Sequence, residues 1–267
     1  MNILKFHQVD STNTIAKEMA MNNASAGRSG AAGATDATEV SDAARRSGAS
    51  LHGTVIMAEE QLAGYGRLGR SFFSPPGHGI YMSLIVDPDR LGLSAPTIIT
   101  VYAAVAVCEA IESLCGKKPQ IKWVNDIFLG EKKICGISAE TVMDSKGKIN
   151  WIVVGIGVNF TLPAVPNELA PIIGAIYEGL SQAETTREQL ANKIINKMLN
   201  PQLDGHIERY KRRLFILGKK IRVEGTDNPY EAIALDVDNA GQLLVKNESG
   251  EIITLTAGEI SIRTCLK

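Results

Sequence analysis

The segment from residue 58 to residue 70 combines glycines with arginines in a spacing suited to holding an anion. Its glycines are Gly64, Gly66 and Gly69, and its arginines are Arg67 and Arg70. Glycine lets the backbone approach a ligand closely and reach positive φ, and a guanidinium presents a fixed fork of N–H donors to phosphate or carboxylate. We therefore predict an anion-binding loop between two strand-like apolar runs.

The glycine spacing also matches G-x-G-x-x-G, the fingerprint of dinucleotide-binding folds, in which a helix begins at the glycines and holds the pyrophosphate. Here Pro75 and Pro76 follow instead, and residues 79–86 have the composition of a strand. Asp87 has roughly the spacing of a ribose-binding acid, but no helix separates it from the loop. Gly-Lys-Ser/Thr, H-R-D and D-F-G motifs are also missing, which excludes Walker-type and kinase-type loops.

A second polar group lies in residues 120–141. Lys122, Asn125, Asp126 and Lys133 supply two cations, an amide and a carboxylate among apolar neighbours. Taken alone, the segment is equally well explained as a surface hairpin with solvated charges. Because the chain also contains the loop of residues 58–70, called here the glycine-arginine loop, we interpret residues 120–141 as the other wall of a nucleotide site.

Cys135 follows Lys133 by two residues, so the alternation of a strand predicts both side chains on one face. A thiol beside a lysine can have a lowered pKa and act as a nucleophile. Because no histidine base is close in sequence, we favour a buried small residue.

Residues 10–14 begin a predicted helix with short polar side chains. Ser11, Thr12 and Asn13 are all suited to capping a helix N-terminus. The same hydroxyl and amide groups could hydrogen-bond a small polar ligand, and both roles are compatible.

Residues 151–160 form a predicted strand that contains Gly155 and Gly157 and ends near Asn159. Glycine in a strand marks either a packing bulge or a close backbone approach to a flat ligand such as a base. The residues alone leave both interpretations open.

The elements that must position these residues follow from periodicity and turn signals. Strands are predicted at residues 54–58, 79–86, 120–124, 127–129 and 134–141, the last two joined by a hairpin at Gly130-Glu131. Helices are predicted at residues 95–115 and 187–214, the second broken at Asn200-Pro201. Ala, Gly, Ser and Thr dominate residues 22–50, where we predict an insertion that forms a loop or a frayed helix.

The sequence pattern changes near residue 215. From there onward short β-like runs alternate with turn signals, which is typical of a small β-barrel module. We therefore predict an α/β domain at residues 1–214 and a second domain at residues 215–267.

Composition excludes several classes of protein. The chain has 267 residues, 45% of them hydrophobic, and a formal net charge of −1. A basic footprint for general nucleic-acid binding is missing, and the most apolar stretch, residues 98–111, contains Glu109 and is too short to span a bilayer. We expect no binding to DNA or membranes.

The cysteines and histidines indicate neither disulfides nor a metal site. The four cysteines show no C-x-x-C motif, and no cleavable signal opens the chain, so we expect reduced thiols and a cytoplasmic protein. The four histidines are scattered without metal-ligand spacing. We predict no structural metal.

Five sequence segments together identify a family. They are DSTNT at 10–14, EQLAGYGRLGRSF at 60–72, KWVNDI at 122–127 with KKICGI at 132–137, GIGVNF at 155–160 and GEISIR at 258–263. In content and order they resemble the signatures of the biotin protein ligases, also called biotin–acetyl-CoA-carboxylase ligases. The resemblance spans nearly the whole chain apart from residues 22–50.

This resemblance implies a fold and a reaction. The fold is a catalytic α/β domain with a mixed sheet, related to class II aminoacyl-tRNA synthetases, followed by an SH3-like C-terminal barrel. In the reaction, biotin and Mg-ATP give biotinyl-5′-adenylate and pyrophosphate, and a lysine of a biotin carrier protein then takes the biotinyl group. The chain starts almost at DSTNT, so we expect a monofunctional enzyme without an N-terminal DNA-binding domain. A sheet edge could serve a homodimer or carrier docking.

The resemblance also implies roles for individual residues. The implied biotin site comprises Ser11, Thr12, Asn13, Gln61, Gly64, Gly66, Arg67 and Lys133. The implied ATP site comprises Arg67, Arg70, Phe72, Lys122, Asn125, Asp126 and Asn159, with Asp126 as a ligand of Mg²⁺. The implied catalytic residues are Arg67, Lys122 and Lys133.

Elementary chemistry agrees with these roles. A cyclic urea offers a carbonyl acceptor and two N–H donors, which neutral hydroxyls and amides satisfy without burying charge. Attack of a carboxylate on the α-phosphorus joins two anions, so cations must neutralise the developing charge. An acyl-adenylate must also be kept from water, which an ordered glycine loop would do.

Three positions depart from the family pattern. Tyr65 stands where GRGRxGR has its first arginine, which removes one cationic donor. Phe72 replaces a tryptophan and keeps an aromatic wall without its N–H. Val124 replaces the proline of KWPND, which affects backbone stiffness more than chemistry.

Two alternatives remain open. A lipoate or octanoate ligase of related fold is supported by Cys135 beside Lys133, whereas the full glycine-arginine loop and the β-rich tail favour biotin. From another class, the protein could be a biotin-binding regulatory protein that adenylates poorly because of Tyr65.

Overall fold

The computed structural model describes residues 1–26, 51–93, 95–183, 185–224, 228–256 and 259–261. Within these residues, seven strands form the larger sheet: β1 (Asn2–Val9), β2 (Thr54–Gln61), β3 (Gly79–Val86), β4 (Gln120–Lys122), β5 (Asp126–Leu129), β6 (Lys132–Met143) and β7 (Ile149–Asn159). Their order is β1-β2-β3-β7-β6-β5-β4. Strand β1 pairs parallel with β2, whereas β2–β3, β4–β5 and β5–β6 are antiparallel. The prediction of a mixed sheet is confirmed.

Five α-helices lie in the described residues: α1 (Thr12–Ala26), α2 (Pro88–Leu91), α3 (Pro96–Cys115), α4 (Arg187–Leu199) and α5 (His206–Lys211). Helix α4 begins with a capping box, in which Thr186 Oγ1 accepts from the Gln189 N–H at 3.1 Å and Gln189 Oε1 accepts from the Thr186 N–H at 2.8 Å. It ends at Leu199, just before Asn200 and Pro201, as predicted.

The chain divides into two compact units. One comprises Met1–Pro96 with Ser138–Gly157, and the other comprises Thr97–Ile137 with Val158–Lys267. Strands β6 and β7 each carry residues of both units. The predicted domain boundary at residue 215 is a different division and stays a prediction.

The core of the first unit lies where α1 packs against the sheet. Ala16, Met19 and Ala20 from α1 meet Ile56 from β2 and Val153 from β7, all buried. Their burial fixes the rotation of α1 and hence the direction of the polar side chains in its first turn.

In the second unit the central element is α3. By length and apolarity α3 could cross a membrane, but 78% of its most apolar window is buried inside the protein, as expected for a core helix. Its Glu109 pairs with Lys197 at 2.6 Å and with Arg209 at 3.0 Å. These ion pairs attach α4 and α5 to α3.

The second sheet has five strands in the described residues: β8 (Lys220–Glu224), β9 (Tyr230–Val237), β10 (Leu243–Asn247), β11 (Ile252–Leu255) and β12 (Glu259–Ser261). Their order is β11-β10-β9-β8-β12, with antiparallel pairings. The predicted β-rich texture after residue 215 is confirmed. Within the same unit, Trp123 Nε1 donates to the Gly241 carbonyl of the turn before β10 at 3.0 Å.

Several sequence-based expectations were wrong in detail. Strand β1 was not predicted, and the strand predicted at residues 120–124 ends at Lys122 because Trp123–Asn125 form a turn. At residues 22–50, where a loop or frayed helix was expected, α1 continues as far as Ala26, and the remainder lies outside the described residues.

The alternation predicted for Lys133 and Cys135 is also interrupted. The β5–β6 register shifts between Ile127 and Phe128, which face Cys135 and Lys133 respectively. Ile134 and Cys135 are consequently both buried although they are adjacent.

Candidate active site

Buried, uncharged polar side chains cluster at the N-terminal end of α1. Ser11, Thr12 and Asn13 are only 3%, 3% and 4% exposed. They follow β1, and the apolar residues later in α1 hold the first turn of the helix against the sheet. The sequence-based prediction of a polar helix start is confirmed, and its side chains are buried.

Gln61, at the end of β2, joins this cluster. Its Oε1 accepts from the Thr12 N–H at 2.9 Å and from Thr12 Oγ1 at 3.1 Å. Its Nε2 donates to Ser74 Oγ at 3.0 Å, and Ser74 Oγ in turn donates to the Phe72 carbonyl at 2.9 Å. The chain of hydrogen bonds therefore runs from α1 into the glycine-arginine loop.

Asn13 makes three side-chain contacts. Its Nδ2 donates to Ser138 Oγ at 2.9 Å and to Glu140 Oε1 at 3.0 Å, while its Oδ1 accepts from Ser83 Oγ at 2.6 Å. Both amide protons are thus used, and the second lone pair of Oδ1 can accept a donor from a ligand.

Gly155 leaves the space that Asn13 occupies. A Cβ atom at this position would lie 2.7 Å from Ser138 Oγ and 2.8 Å from Asn13 Nδ2. Gly157, on the same strand, is covered by Phe72, since its Cβ would lie 2.6 Å from the Phe72 ring. Close approach at both glycines is therefore to protein side chains, which supports the packing interpretation of this strand.

The glycine-arginine loop is a narrow, internally bonded turn. Gly66 N–H donates to the Arg70 carbonyl and Phe72 N–H to the Gly64 carbonyl, both at 2.8 Å. Arg67–Gly69 forms a single 3-10 turn, followed by β3 rather than a helix. The exclusion of a dinucleotide fingerprint is confirmed.

A second, charged group lies on β4, β5 and β6. Lys122 is the register partner of Asp126, and Lys133 Nζ forms an ion pair with Asp126 Oδ1 at 2.7 Å. Both side chains of that pair remain about a quarter exposed, at 26% and 24%. The hairpin thus brings together three of the predicted residues.

Two predicted site amides, Asn125 beside the charged group and Asn159 at the end of β7, have structural partners. Asn125 Nδ2 donates to the Ile137 carbonyl at 2.8 Å, and Asn159 Nδ2 donates to the Gly174 carbonyl at 2.9 Å. Both amide nitrogens therefore donate to backbone carbonyls of the surrounding structure.

Tyr65 lies in the loop and reaches α1. Its phenol interacts with Glu140 and Thr14, and burial, followed by the Glu140 charge, raises the pKa of the phenol. Glu140 also forms an ion pair with Lys17 at 2.7 Å, and this bond raises the pKa of the Lys17 ammonium. The tyrosine therefore stays protonated beside a carboxylate.

Comparison with known proteins gives a consistent result. Residues 36–159 match the Biotin/lipoate A/B protein ligase family, and residues 216–263 match the Biotin protein ligase C terminal domain. A bifunctional ligase/repressor BirA of Bacillus spizizenii is 31% identical over 74% of this chain, which spans 63% of that protein's length. A biotin–acetyl-CoA-carboxylase ligase of Mycobacterium tuberculosis is 29% identical over 80% of each chain.

The chain belongs to the biotin protein ligase family. A solved biotin protein ligase of Aquifex aeolicus, in complex with biotin and ATP, superposes with a TM-score of 0.72 over 98% of each chain at 22% identity. That likeness supports the fold.

Against the biotin protein ligase pattern, the structure gives two of the departures a physical account. Tyr65 replaces an arginine with a neutral phenol that interacts with the Glu140 carboxylate. Lys17 supplies a cation to that same carboxylate. Phe72 keeps an aromatic ring over Gly157 and lies edge-on to Tyr81, with ring centroids 6.5 Å apart.

Five residues of the site were not found from the sequence. They are Lys17, Ser74, Ser83, Ser138 and Glu140. Ser83 carried a usable signal in the sequence, because it is the one small polar side chain in strand β3, and in the structure it is fully buried. Ser138 and Glu140 are two residues apart on β6, the spacing of one strand face.

Cys135 is expected to be unreactive and dispensable for catalysis. It is fully buried, and burial raises the pKa of its thiol far above the ordinary value. In a Cys265→Ser background, the native protein should resist iodoacetamide and label at Cys135 only in denaturant, as detected by peptide mass. Cys135→Ala should change catalytic rate by less than about threefold. Rapid labelling with parallel loss of activity would instead establish a nucleophilic thiol.

Proposed function

We propose that the protein attaches biotin to a lysine of the biotin carrier protein of acetyl-CoA carboxylase, or of a related carboxylase, by way of biotinyl-5′-adenylate. The observation that carries this proposal is the buried, uncharged cluster around Asn13, within a family that acts on biotin or lipoate. A cyclic urea has donors and an acceptor for such a cluster, whereas an alkyl chain or a dithiolane has neither N–H nor C=O and would leave buried polar groups unpaired.

We assign the biotin headgroup to this buried, uncharged cluster, called here the neutral cluster. It comprises Ser11, Thr12, Asn13, Gln61, Ser83 and Ser138. Asn13 Oδ1 would accept a urea N–H, and the hydroxyls of Ser11 and Ser138 would donate to the urea carbonyl. Thr12 and Gln61 would hold the start of α1 against β2 through their mutual hydrogen bonds. The Gly64 and Gly66 backbone and Arg67 would cover the valeryl carboxylate.

The first step joins two anions. The biotin carboxylate oxygen attacks the α-phosphorus of ATP, a new P–O bond forms, and the bond to the β-phosphate oxygen breaks to release pyrophosphate. Arg67, Lys122 and Lys133 would neutralise the charge that develops on the phosphoryl oxygens. Arg70, Phe72, Asn125 and Asn159 would orient the nucleotide.

Magnesium fits this assignment as an ion that arrives with the nucleotide. Among the described residues, no group of three or more His, Cys, Asp or Glu could hold a metal ion. Mg²⁺ is commonly held by one or two carboxylates together with substrate phosphates. Asp126 would be its protein ligand, and the bound ion would supply positive charge to the phosphates.

In the second step, the carrier lysine amine attacks the acyl carbonyl. An amide bond forms, the acyl–phosphate bond breaks, AMP leaves and the amine loses a proton to solvent. Until the carrier arrives the glycine-arginine loop would keep water from the adenylate.

We also propose the finer architecture. The antiparallel sheet of β8 to β12 and the family match at residues 216–263 support an SH3-like domain at 215–267 after a catalytic domain at 1–214, which resembles class II aminoacyl-tRNA synthetases. The described cysteines, Cys108, Cys115 and Cys135, are free thiols, which supports a cytoplasmic enzyme. Edge strand β1 could serve a homodimer or the carrier domain.

The test is incubation of the purified protein with Mg-ATP, a carrier domain and biotin, with lipoate and octanoate in parallel, followed by mass measurement of the carrier. Transfer of biotin alone is expected. Transfer of only lipoate or octanoate would overturn the substrate, and biotin binding without any transfer would favour the regulatory alternative that Tyr65 suggests.

A further inference from the structure

Glu140 is a carboxylate that the proposed reaction does not use, yet it contacts the residue at the centre of the neutral cluster. Its Oε1 accepts from Asn13 Nδ2 at 3.0 Å, and its Oε2 accepts from Lys17 Nζ at 2.7 Å. Two donors from α1 thus fix one carboxylate beside the predicted headgroup site, and the Tyr65 phenol of the loop interacts with the same carboxylate.

The partners of Asn13 differ in what they can enforce. Ser83 and Ser138 carry hydroxyls, which either donate or accept, so they tolerate both orientations of the Asn13 amide. An ionised carboxylate only accepts. Flipping the amide would set Asn13 Oδ1 against Glu140 Oε1 and replace a charge-assisted hydrogen bond by repulsion. Among these three partners, only Glu140 therefore requires the Asn13 Nδ2, rather than Oδ1, to point towards it.

We propose that Glu140 is a positioning residue that holds Asn13 as a hydrogen-bond acceptor, so that the site selects ligands presenting an N–H group, such as a cyclic urea. Through Tyr65 the same carboxylate also links the loop to α1. This inference rests on the proposed biotin function and extends it to a residue that acts on the ligand through Asn13.

The experiment is a double-mutant cycle on biotin affinity, measured by calorimetry with the full chain. Glu140→Gln keeps the side-chain size but offers an amide that accommodates either orientation of Asn13. Biotin affinity should fall about 10- to 100-fold, the range for a hydrogen bond to a charged group. The KM for ATP should stay within about twofold, which a general loss of structure would not allow.

Asn13→Asp is the second single variant of the cycle, and its combination with Glu140→Gln decides between the outcomes. Alone it sets two carboxylates against each other and should weaken biotin binding by at least about 100-fold. Combined with Glu140→Gln, it exchanges the amide and the carboxylate, so an acceptor again faces the ligand. The double variant should bind biotin at least about tenfold more tightly than Asn13→Asp alone.

The control variant is Glu231→Gln. It removes a carboxylate paired with Lys220 on the second sheet and should leave biotin affinity unchanged. If Glu140→Gln binds biotin as tightly as wild type, or if the two substitutions are additive, Glu140 has no positioning role and the proposed function survives. If wild type itself binds no biotin, the proposed function fails and the inference fails with it.

Discussion

Lys133→Met is expected to reduce carrier biotinylation by about 100- to 1,000-fold, the loss typical of removing one preorganised charge from an acyl- or phosphoryl-transfer site. The Lys133 ammonium lies 2.7 Å from Asp126 Oδ1. Methionine keeps the aliphatic length of the side chain but removes the cation. Asp126 would then face the incoming phosphates without its counter-charge, and its repulsion adds to the loss of stabilisation.

The effect should divide unequally between kinetic parameters. Lys133 is proposed to contact the reacting carboxylate and the α-phosphate, where charge grows in the transition state. Because an interaction that strengthens in the transition state affects kcat, pyrophosphate release in the absence of carrier should show a lower kcat with a smaller rise in KM for ATP. Carrier mass then reports whether the second step falls in parallel.

Lys132→Met is the matched control. Lys132 is the neighbouring residue on β6, but its ammonium is exposed and donates to the Ala170 carbonyl at 2.9 Å. Its loss should change the rate of pyrophosphate release by less than about twofold, as for most surface substitutions. Equal losses at both positions would mean that the strand tolerates no change there, and full activity of Lys133→Met would assign the charge stabilisation to the arginines and Lys122.

Local patterns predicted the elements that carry the charged group. The turn at Gly130-Glu131 and the apolar runs on either side define the β5–β6 hairpin, and this hairpin brings Lys133 to Asp126. The break at Asn200-Pro201 likewise follows from proline's missing N–H. In each case the deciding interaction lies within a few residues along the chain.

Contacts between distant segments were not predictable in the same way. Ser83 and Ser138 lie 70 and 125 positions from Asn13, and nothing in their immediate sequence states which helix they face. Strand β1 was missed because its residues are mostly exposed or half-buried, so it lacks a clean alternation. The bulge opposite Ile127 reversed the expected faces of β6, since one extra residue changes the side of every side chain beyond it.

Gly155→Ala is the second substitution with a large expected effect, because a single methyl group would occupy the position of the Asn13 amide. The added Cβ would lie 2.7 Å from Ser138 Oγ and 2.8 Å from Asn13 Nδ2, inside any normal contact distance. Asn13 is 4% exposed and bonded on both sides of its amide, so the amide must move and break its hydrogen bonds. Biotin affinity should fall by at least about 100-fold, the cost of losing two or more buried hydrogen bonds.

Gly179→Ala separates this local effect from a general intolerance of alanine at glycine positions. Gly179 has φ −156° and ψ 162°, which any residue adopts, and its Cβ would meet only Ser181 Oγ at 3.9 Å. This control should bind biotin as wild type does. Calorimetry on both variants, with thermal unfolding as the check on folding, distinguishes the outcomes. Should a folded Gly155→Ala protein bind biotin normally, the Asn13 amide cannot be what recognises the headgroup, and the neutral cluster would have to serve only to attach α1 to the sheet.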